Sequence, residues 1–150
     1  MELVIRDACE EDIPALEALE EQCFSMPWTR EQLMSQLTDD RHRFLVAESG
    51  GALVGYIGMM FVLDEGYISN VAAAPPARRQ GVASALISAL IRQAEELSLT
   101  FVTLEVRQSN EPAKALYAKH GFVAVGTRKN YYERPTEDAV LMTIFLKRGA

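Results

Sequence analysis

Residues 71–97 read VAAAPPARRQGVASALISALIRQAEEL, and the reading of this stretch decides the fold. It runs from the end of an apolar strand through a Pro-Pro turn and a basic, glycine-containing loop into a long helix. Val82, Leu86, Leu90, Ala94 and Leu97 fall on one stripe, the pattern of a helix packed on one side. The loop Arg78-Arg79-Gln80-Gly81-Val82-Ala83 opens that helix. A helix N-terminus presents unpaired N–H groups and the positive end of its dipole, so it binds phosphate well. Gly81 has no Cβ and lets backbone approach a ligand. Arg78 and Arg79 add forked cationic donors suited to phosphate oxygens. A pyrophosphate fits this loop; taken alone, a solvated helix start would read the same way.

The spacing Arg-x-x-Gly-x-Ala is neither the Gly-x-Gly-x-x-Gly of a dinucleotide fold nor a Walker loop, which needs Gly-Lys-Ser/Thr. Composition narrows the field further. At 150 residues and 49% hydrophobic, the chain is expected to form one domain over residues 1–150 with a real core. No apolar run is long enough to span a membrane, and Met1-Glu2-Leu3 places no basic segment ahead of an apolar one. A cytoplasmic protein without membrane contact is the expectation. Cys9 and Cys23 are too few for a disulfide framework and have no metal-ligand spacing; with His42 and His120 the only histidines, no metal site is expected. A formal charge of −6 argues against nucleic-acid binding and suits a basic peptide partner.

Working outward from the loop, Gly66–Ala74 reads as a strand leading into it. Arg43–Glu48 and Ala52–Val62 form a hairpin through Ser49-Gly50-Gly51, which makes three consecutive antiparallel strands. Glu2–Asp7 alternates as a first strand. Ile13, Leu16, Leu19 and Phe24 carry helical spacing. The opposite face holds Glu10, Glu11, Asp12, Glu17, Glu20 and Glu21 with no base among them: a solvated acidic face, or the border of a site for a cationic substrate. Met26-Pro27-Trp28 breaks this helix, and Thr29 with Gln32 makes a capping box for a second one. Trp28 reads as packing or as a substrate rim. Beyond the loop helix come a strand at Phe101–Val106 and a helix at Glu111–His120, capped by Asn110 and stopped by Gly121. Strands at Phe122–Arg128 and Ala139–Lys147 follow, with Asn130-Tyr131-Tyr132 in the loop between them. The fold class is α/β, a mixed and mostly antiparallel sheet of about seven strands with helices on both faces.

The candidate chemical residues lie beyond the loop. Glu105 interrupts a β-branched strand, and alternation puts it on the face of Phe101 and Thr103. Such a carboxylate is either paired with a base, Arg107 being on the same face, or is itself a catalytic base. Tyr117 follows Asn110 by seven residues, two turns, so the two share a helix face. Tyr117 is core filling, or a phenol aimed into a cleft.

Taken together, the Arg79-Gln80-Gly81 loop, Leu104-Glu105-Val106-Arg107, Ser109-Asn110, Ala115-Leu116-Tyr117, Asn130-Tyr131-Tyr132 and Glu137-Asp138-Ala139 resemble the GCN5-related N-acetyltransferases. Pro27-Trp28, Leu63-Asp64-Glu65 and Gly121-Phe122 extend the likeness over essentially the whole chain. The last motifs resemble the branch that acetylates ribosomal-protein N-termini. Ala77 and Ala83 depart from the pattern, where relatives carry an aromatic residue and a glycine. The resemblance implies acetyl-CoA as co-substrate, its pyrophosphate on Arg78, Arg79, Gln80, Gly81, Val82, Ala83 and Ser84. It implies the pantetheine arm along Val71, Ala72 and Ala73, with Asn110 contacting the cofactor. Glu105 would be the general base and Tyr117 the acid toward the departing sulfur, with Trp28, Tyr131 and Tyr132 on the acceptor side. The implied partner is the basic N-terminus of a ribosomal protein. Acetylation of a lysine or small amine, and a non-catalytic acyl-CoA-binding domain, are the rival readings.

Overall fold

The computed structural model describes residues 2–146. Seven strands make one sheet in the order β1-β2-β3-β4-β5-β7-β6. They are β1 (Val4–Asp7), β2 (His42–Ser49), β3 (Ala52–Val62), β4 (Glu65–Ala73), β5 (Phe101–Arg107), β6 (Val123–Tyr132) and β7 (Glu137–Phe145). Every neighbouring pair is antiparallel except β4 with β5. Four α-helices complete the fold: α1 (Ile13–Cys23), α2 (Arg30–Thr38), α3 (Val82–Glu96) and α4 (Glu111–Lys119).

Strand alternation in β2 sorts the two cores. Leu45 and Ala47 pack under α3 with Leu86, Ile87 and Leu90, while Phe44 and Val46 face α1 and α2 with Leu16, Leu19 and Leu33. α4 adds Ala113, Leu116 and Tyr117 to the α3 side. Helices therefore cover both faces, as the sequence implies. The Gly50-Gly51 turn has both residues at positive φ, +59 and +83, which matches the twist of the hairpin strands. The Thr29–Gln32 capping box forms in both directions, at 3.2 and 2.8 Å.

Two expectations are corrected, and one falls outside the described residues. Asn130-Tyr131-Tyr132 is not a loop but the end of β6, which runs on to Tyr132 through a bulge where Asn130 takes φ +53 and donates its N–H to Asp138 Oδ1 at 2.9 Å. The predicted end of the last strand at Lys147 lies outside the described residues. The acidic face of α1 is not uniformly solvated. Glu20 is fully buried, on the stripe of Ile13 and Leu16, and Asp12 is buried against Arg6 at 2.8 Å. Glu17 pairs with Arg30, a base supplied by the next helix.

Candidate active site

The sheet opens where its one parallel pair gives out. β4 and β5 pair only at Glu65–Phe101, Gly66–Val102 and Tyr67–Thr103. Past those residues β5 stays with β7 along its whole length, while β4 stays with β3. A bulge sits at the parting point: Gly58 pairs with Asn70 and Met59 with Ile68, leaving Ser69 extra. Its hydroxyl donates to the Gly58 carbonyl at 3.2 Å. A bulge bends its strand and adds twist, which here carries β4 away from β5. Between them lies a cleft of about 710 Å³, lined by residues 68–71 of β4, residues 104–107 of β5, and Asn110, Ala113 and Tyr117 of α4. Residues 23–26 and 131–135 complete its walls.

Hydrogen-bond alternation settles which backbone groups face the opening. Ala74 N–H donates to Val54 O at 2.8 Å, so Ala72 also turns its amide to β3. Val71 and Ala73 then turn theirs to the open edge. The Ala73 carbonyl accepts from Arg78 Nε at 3.2 Å and from the Cys23 thiol at 3.4 Å, while Val71 offers its N–H and C=O within the cleft. Ala72 departs from the expectation of a free backbone: it is bound to β3, and its methyl is buried in the α1-side core.

The head of α3 follows directly. Gly81 is the N-cap at φ +82 with no side-chain cap, and Arg79 also holds a left-handed conformation at φ +66. Ala85 N–H bonds the Gly81 carbonyl at 2.9 Å, so the N–H groups of Val82, Ala83 and Ser84 have no partner within the helix. Gly55 brings this first turn close to the sheet, because a Cβ there would meet Val82 Cγ1 at 2.6 Å. Arg78 is turned back onto the Ala73 carbonyl, and Gln80 Nε2 donates to Pro76 O at 3.2 Å. Arg79 makes no ion pair among the described residues. Ser84 Oγ lies 2.7 Å from His120 Nε2 at the end of α4. Burial, with Lys119 nearby, holds His120 below the ordinary imidazole range and keeps it neutral at pH 7.

Glu105 has a basic partner, but not the expected one. Arg128 Nε, from β6, is 3.3 Å from Glu105 Oε1, with the β7 strand between their backbones. Arg107 instead organises the far wall. It donates to the carbonyls of Glu133 (3.0 Å) and Pro135 (2.9 Å), pairs with Glu137 at 3.3 Å and lies over the Tyr132 ring at 4.4 Å. Glu137 also accepts the Ser109 N–H at 2.6 Å; these bonds hold its carboxyl below the usual range. Asn110 caps α4, its Oδ1 accepting from Ala113 N–H at 3.2 Å. Tyr117 packs its ring 5.8 Å from that of Phe122, and burial pushes its hydroxyl up to about 12. Tyr131 and Tyr132 meet edge to face at 5.1 Å; burial raises both, and the Glu105 charge adds to the shift.

The structure thus brings Val71, Glu105, Asn110, Tyr117, Tyr131 and Tyr132 to one cleft. Ala72, Ala73 and the loop residues 78–84 at the head of α3 lie outside its lining, and so does Trp28. That indole packs against the α1-side core and borders a separate shallow groove with Gln32 and Gln36. Sequence reasoning missed Arg128, because its approach to Glu105 depends on the register of three strands. It also missed the loop residues Phe24, Ser25 and Met26, which carry no chemical signature and line the cleft by topology.

Set beside known proteins, residues 13–122 match the model of the acetyltransferase (GNAT) family. A Bacillus subtilis protein, provisionally assigned as a ribosomal protein bS18-alanine N-acetyltransferase, is 36% identical over 141 residues, 93% of each chain. The bS18-alanine N-acetyltransferase of Escherichia coli K12 is 34% identical over 137 residues, 89% of this chain and 90% of its own. The crystal structure of the Escherichia coli ribosomal-protein-S18-alanine N-acetyltransferase superposes with a TM-score of 0.92 at 30% identity, covering 99% of this chain and 97% of that one. The chain belongs to the acetyltransferase (GNAT) family, whose co-substrate is acetyl-CoA.

Proposed function

We propose that this chain is a protein N-α-acetyltransferase that moves the acetyl group of acetyl-CoA to an N-terminal alanine, with ribosomal protein bS18 as acceptor. The observation that carries the reading is the relatives of that activity matching along nearly the whole chain, together with a carboxylate and a phenol lining one cleft.

The residues fit the co-substrate. The three free N–H groups at the head of α3 and the unpaired Arg79 suit a pyrophosphate. The open-edge amides of Val71 and Ala73 suit the amide groups of a pantetheine arm, and Asn110 at the head of α4 lines the same cleft as Val71. Arg78, Gln80, Gly81, Val82, Ala83 and Ser84 complete the phosphate loop. Bound acetyl-CoA supplies the activated acyl carbon. Glu105 takes the proton that the amine gives up as the new C–N bond forms. The Val71 N–H donates to the carbonyl oxygen as it gains charge. Tyr117, protonated at every working pH, donates to the sulfur as the C–S bond breaks. An α-amine with a pKa of about 7.7–8.0 is already about a tenth neutral at pH 7, so one carboxylate suffices; a lysine near 10.4 asks far more of it. Tyr131 and Tyr132 form the acceptor side, without Trp28.

The test is acetyl-CoA consumption with two basic peptides, one with a free alanine N-terminus and no lysine, the other blocked and carrying one internal lysine. Turnover on the first alone is expected. Turnover on the second alone moves the function to lysine, and silence on both removes the acyl-transfer reading for peptides.

A further inference from the structure

Glu20 is a carboxyl group with 0% exposure and no arginine, lysine or histidine paired with it among the described residues. Burying such a group without a cation is costly unless it is hydrogen-bonded. The Glu20 side chain makes two such bonds, one through each oxygen. Its Oε1 accepts the Trp28 N–H at 2.6 Å. Its Oε2 accepts the hydroxyl of Tyr56, itself fully buried on β3 and stacked on Phe44 at 5.0 Å. Its own backbone carbonyl accepts the Phe24 N–H at 3.0 Å. The carboxyl therefore ties Trp28, at the α2 end of the α1–α2 connection (residues 24–29), to Tyr56 of the sheet, while the Phe24 end is held by a main-chain bond independent of the side chain. The middle of that connection, Phe24, Ser25 and Met26, is a wall of the cleft, and Met26 at its tip is 53% exposed. Pro27 removes one backbone donor there, so few other bonds hold the loop.

We infer that Glu20 is a positioning residue for the acceptor: with Tyr56 it locks the α1–α2 loop into the shape that receives the peptide, and it plays no part in holding acetyl-CoA. The inference rests on the acceptor being a peptide, as proposed above. An apolar residue of the same size would fill the space at less cost, so the hydrogen bonds are what the buried carboxyl contributes. Glutamine keeps both: its carbonyl accepts from Trp28, and the Tyr56 hydroxyl accepts from its amide.

The experiment compares wild type with Glu20→Gln, Glu20→Met and Tyr56→Phe. Trp28 is the only tryptophan in the chain, so acrylamide quenching of its emission reads the loop directly, without acceptor or turnover. Peptide KM and acetyl-CoA affinity by calorimetry complete the set. For Glu20→Met we expect stronger quenching and a peptide KM about tenfold higher. Tenfold corresponds to about 1.4 kcal/mol, the upper end of the net contribution of one hydrogen bond. Acetyl-CoA affinity should be unchanged, and Glu20→Gln should match wild type. Tyr56→Phe, which keeps the ring stack and removes one bond, should fall between them and carries the test if Glu20→Met does not fold. Unchanged quenching in both, equal loss of acetyl-CoA affinity and KM, or a Glu20→Gln variant as impaired as Glu20→Met would each overturn the inference. If wild type acetylates no peptide, the acceptor reading fails by itself while the quenching series still decides whether Glu20 holds the loop.

Discussion

Replacing Tyr117 by phenylalanine removes one oxygen from the cleft and keeps the ring against Phe122. Burial lifts this hydroxyl from the ordinary tyrosine value of 10.0 to about 12. At pH 7 about one molecule in 10⁵ is ionised, so the phenol is a donor throughout the working range. Its acidity is poorly matched to full proton transfer. An ordinary thiol titrates near 8.5, and moving a proton from a group at about 12 to such a thiolate is uphill by about 5 kcal/mol. Tyr117 therefore works by a hydrogen bond to the sulfur as charge develops, and the thiolate leaves stabilised rather than protonated by this residue. A hydrogen bond to a charged group contributes about 1.5–3 kcal/mol, so Tyr117→Phe should lower kcat about 10- to 150-fold. Acetyl-CoA affinity should stay within about twofold, because the lost bond is made only as the C–S bond breaks. Steady-state kinetics from pH 6 to 10.5 and calorimetry with acetyl-CoA make the measurement. No alkaline limb from this residue is expected in that range. A wild-type kcat that falls near pH 10, with the fall absent in Tyr117→Phe, would refute the burial argument; parallel losses of binding and rate would recast Tyr117 as packing.

Glu105→Gln should lower kcat at pH 7 by about 10² or more and regain part of the loss above pH 8, where the amine deprotonates unaided; a ratio to wild type that stays flat with pH removes Glu105 as the base. A Cβ at Gly81 meets no atom within 4 Å, but Gly81→Val forces a β-branched residue to φ +82, so it should weaken acetyl-CoA binding measured by calorimetry and cost about 1–2 kcal/mol of stability in urea titration. Asp12, held at about 2 in the folded chain by Arg6 against a value of 3.8 when free, stabilises the native state by about 2 kcal/mol at neutral pH. Because its folded pKa is depressed, this contribution is complete above about pH 5 and is lost progressively as pH falls through the folded value of about 2; Asp12→Asn should flatten that acid limb in denaturant titrations.

The elements visible in the sequence are those whose signals are local. The Gly50-Gly51 hairpin, the Thr29–Gln32 box, the Asn110 cap and the α3 stripe each need only a few adjacent residues, and each forms as read. The readings that changed depend on contacts distant in sequence. Glu20 reads from its chemistry as part of an acidic face, solvated or bordering a cationic substrate, although its spacing from Ile13 and Leu16 puts it on the buried stripe; its partners, Tyr56 and the Trp28 amide, arrive by tertiary folding. Arg107 shares a strand face with Glu105, yet Arg128 takes the carboxylate, because the bulge between Ala124 and Gly126 shifts β6 against β7 and pairs Arg128 with Ala139, on the Glu105 face.

The cleft itself shows why site residues were easier to name than to place. Its existence depends on β4 and β5 sharing only three residue pairs before parting, and parting requires that each strand have a better partner elsewhere. β5 keeps seven antiparallel pairs with β7, and the Ser69 bulge lets β4 keep its bonds to β3 while turning away. No residue pattern in either strand records that competition. It does leave a consequence: Val71 and Ala73 can present main-chain donors and acceptors to a ligand only while β5 remains drawn off by β7. A substitution that weakens the β5–β7 pairing, such as breaking the buried Thr103–Thr143 hydroxyl contact at 2.8 Å, should therefore reach acetyl-CoA binding through the open edge, although neither threonine lines the cleft.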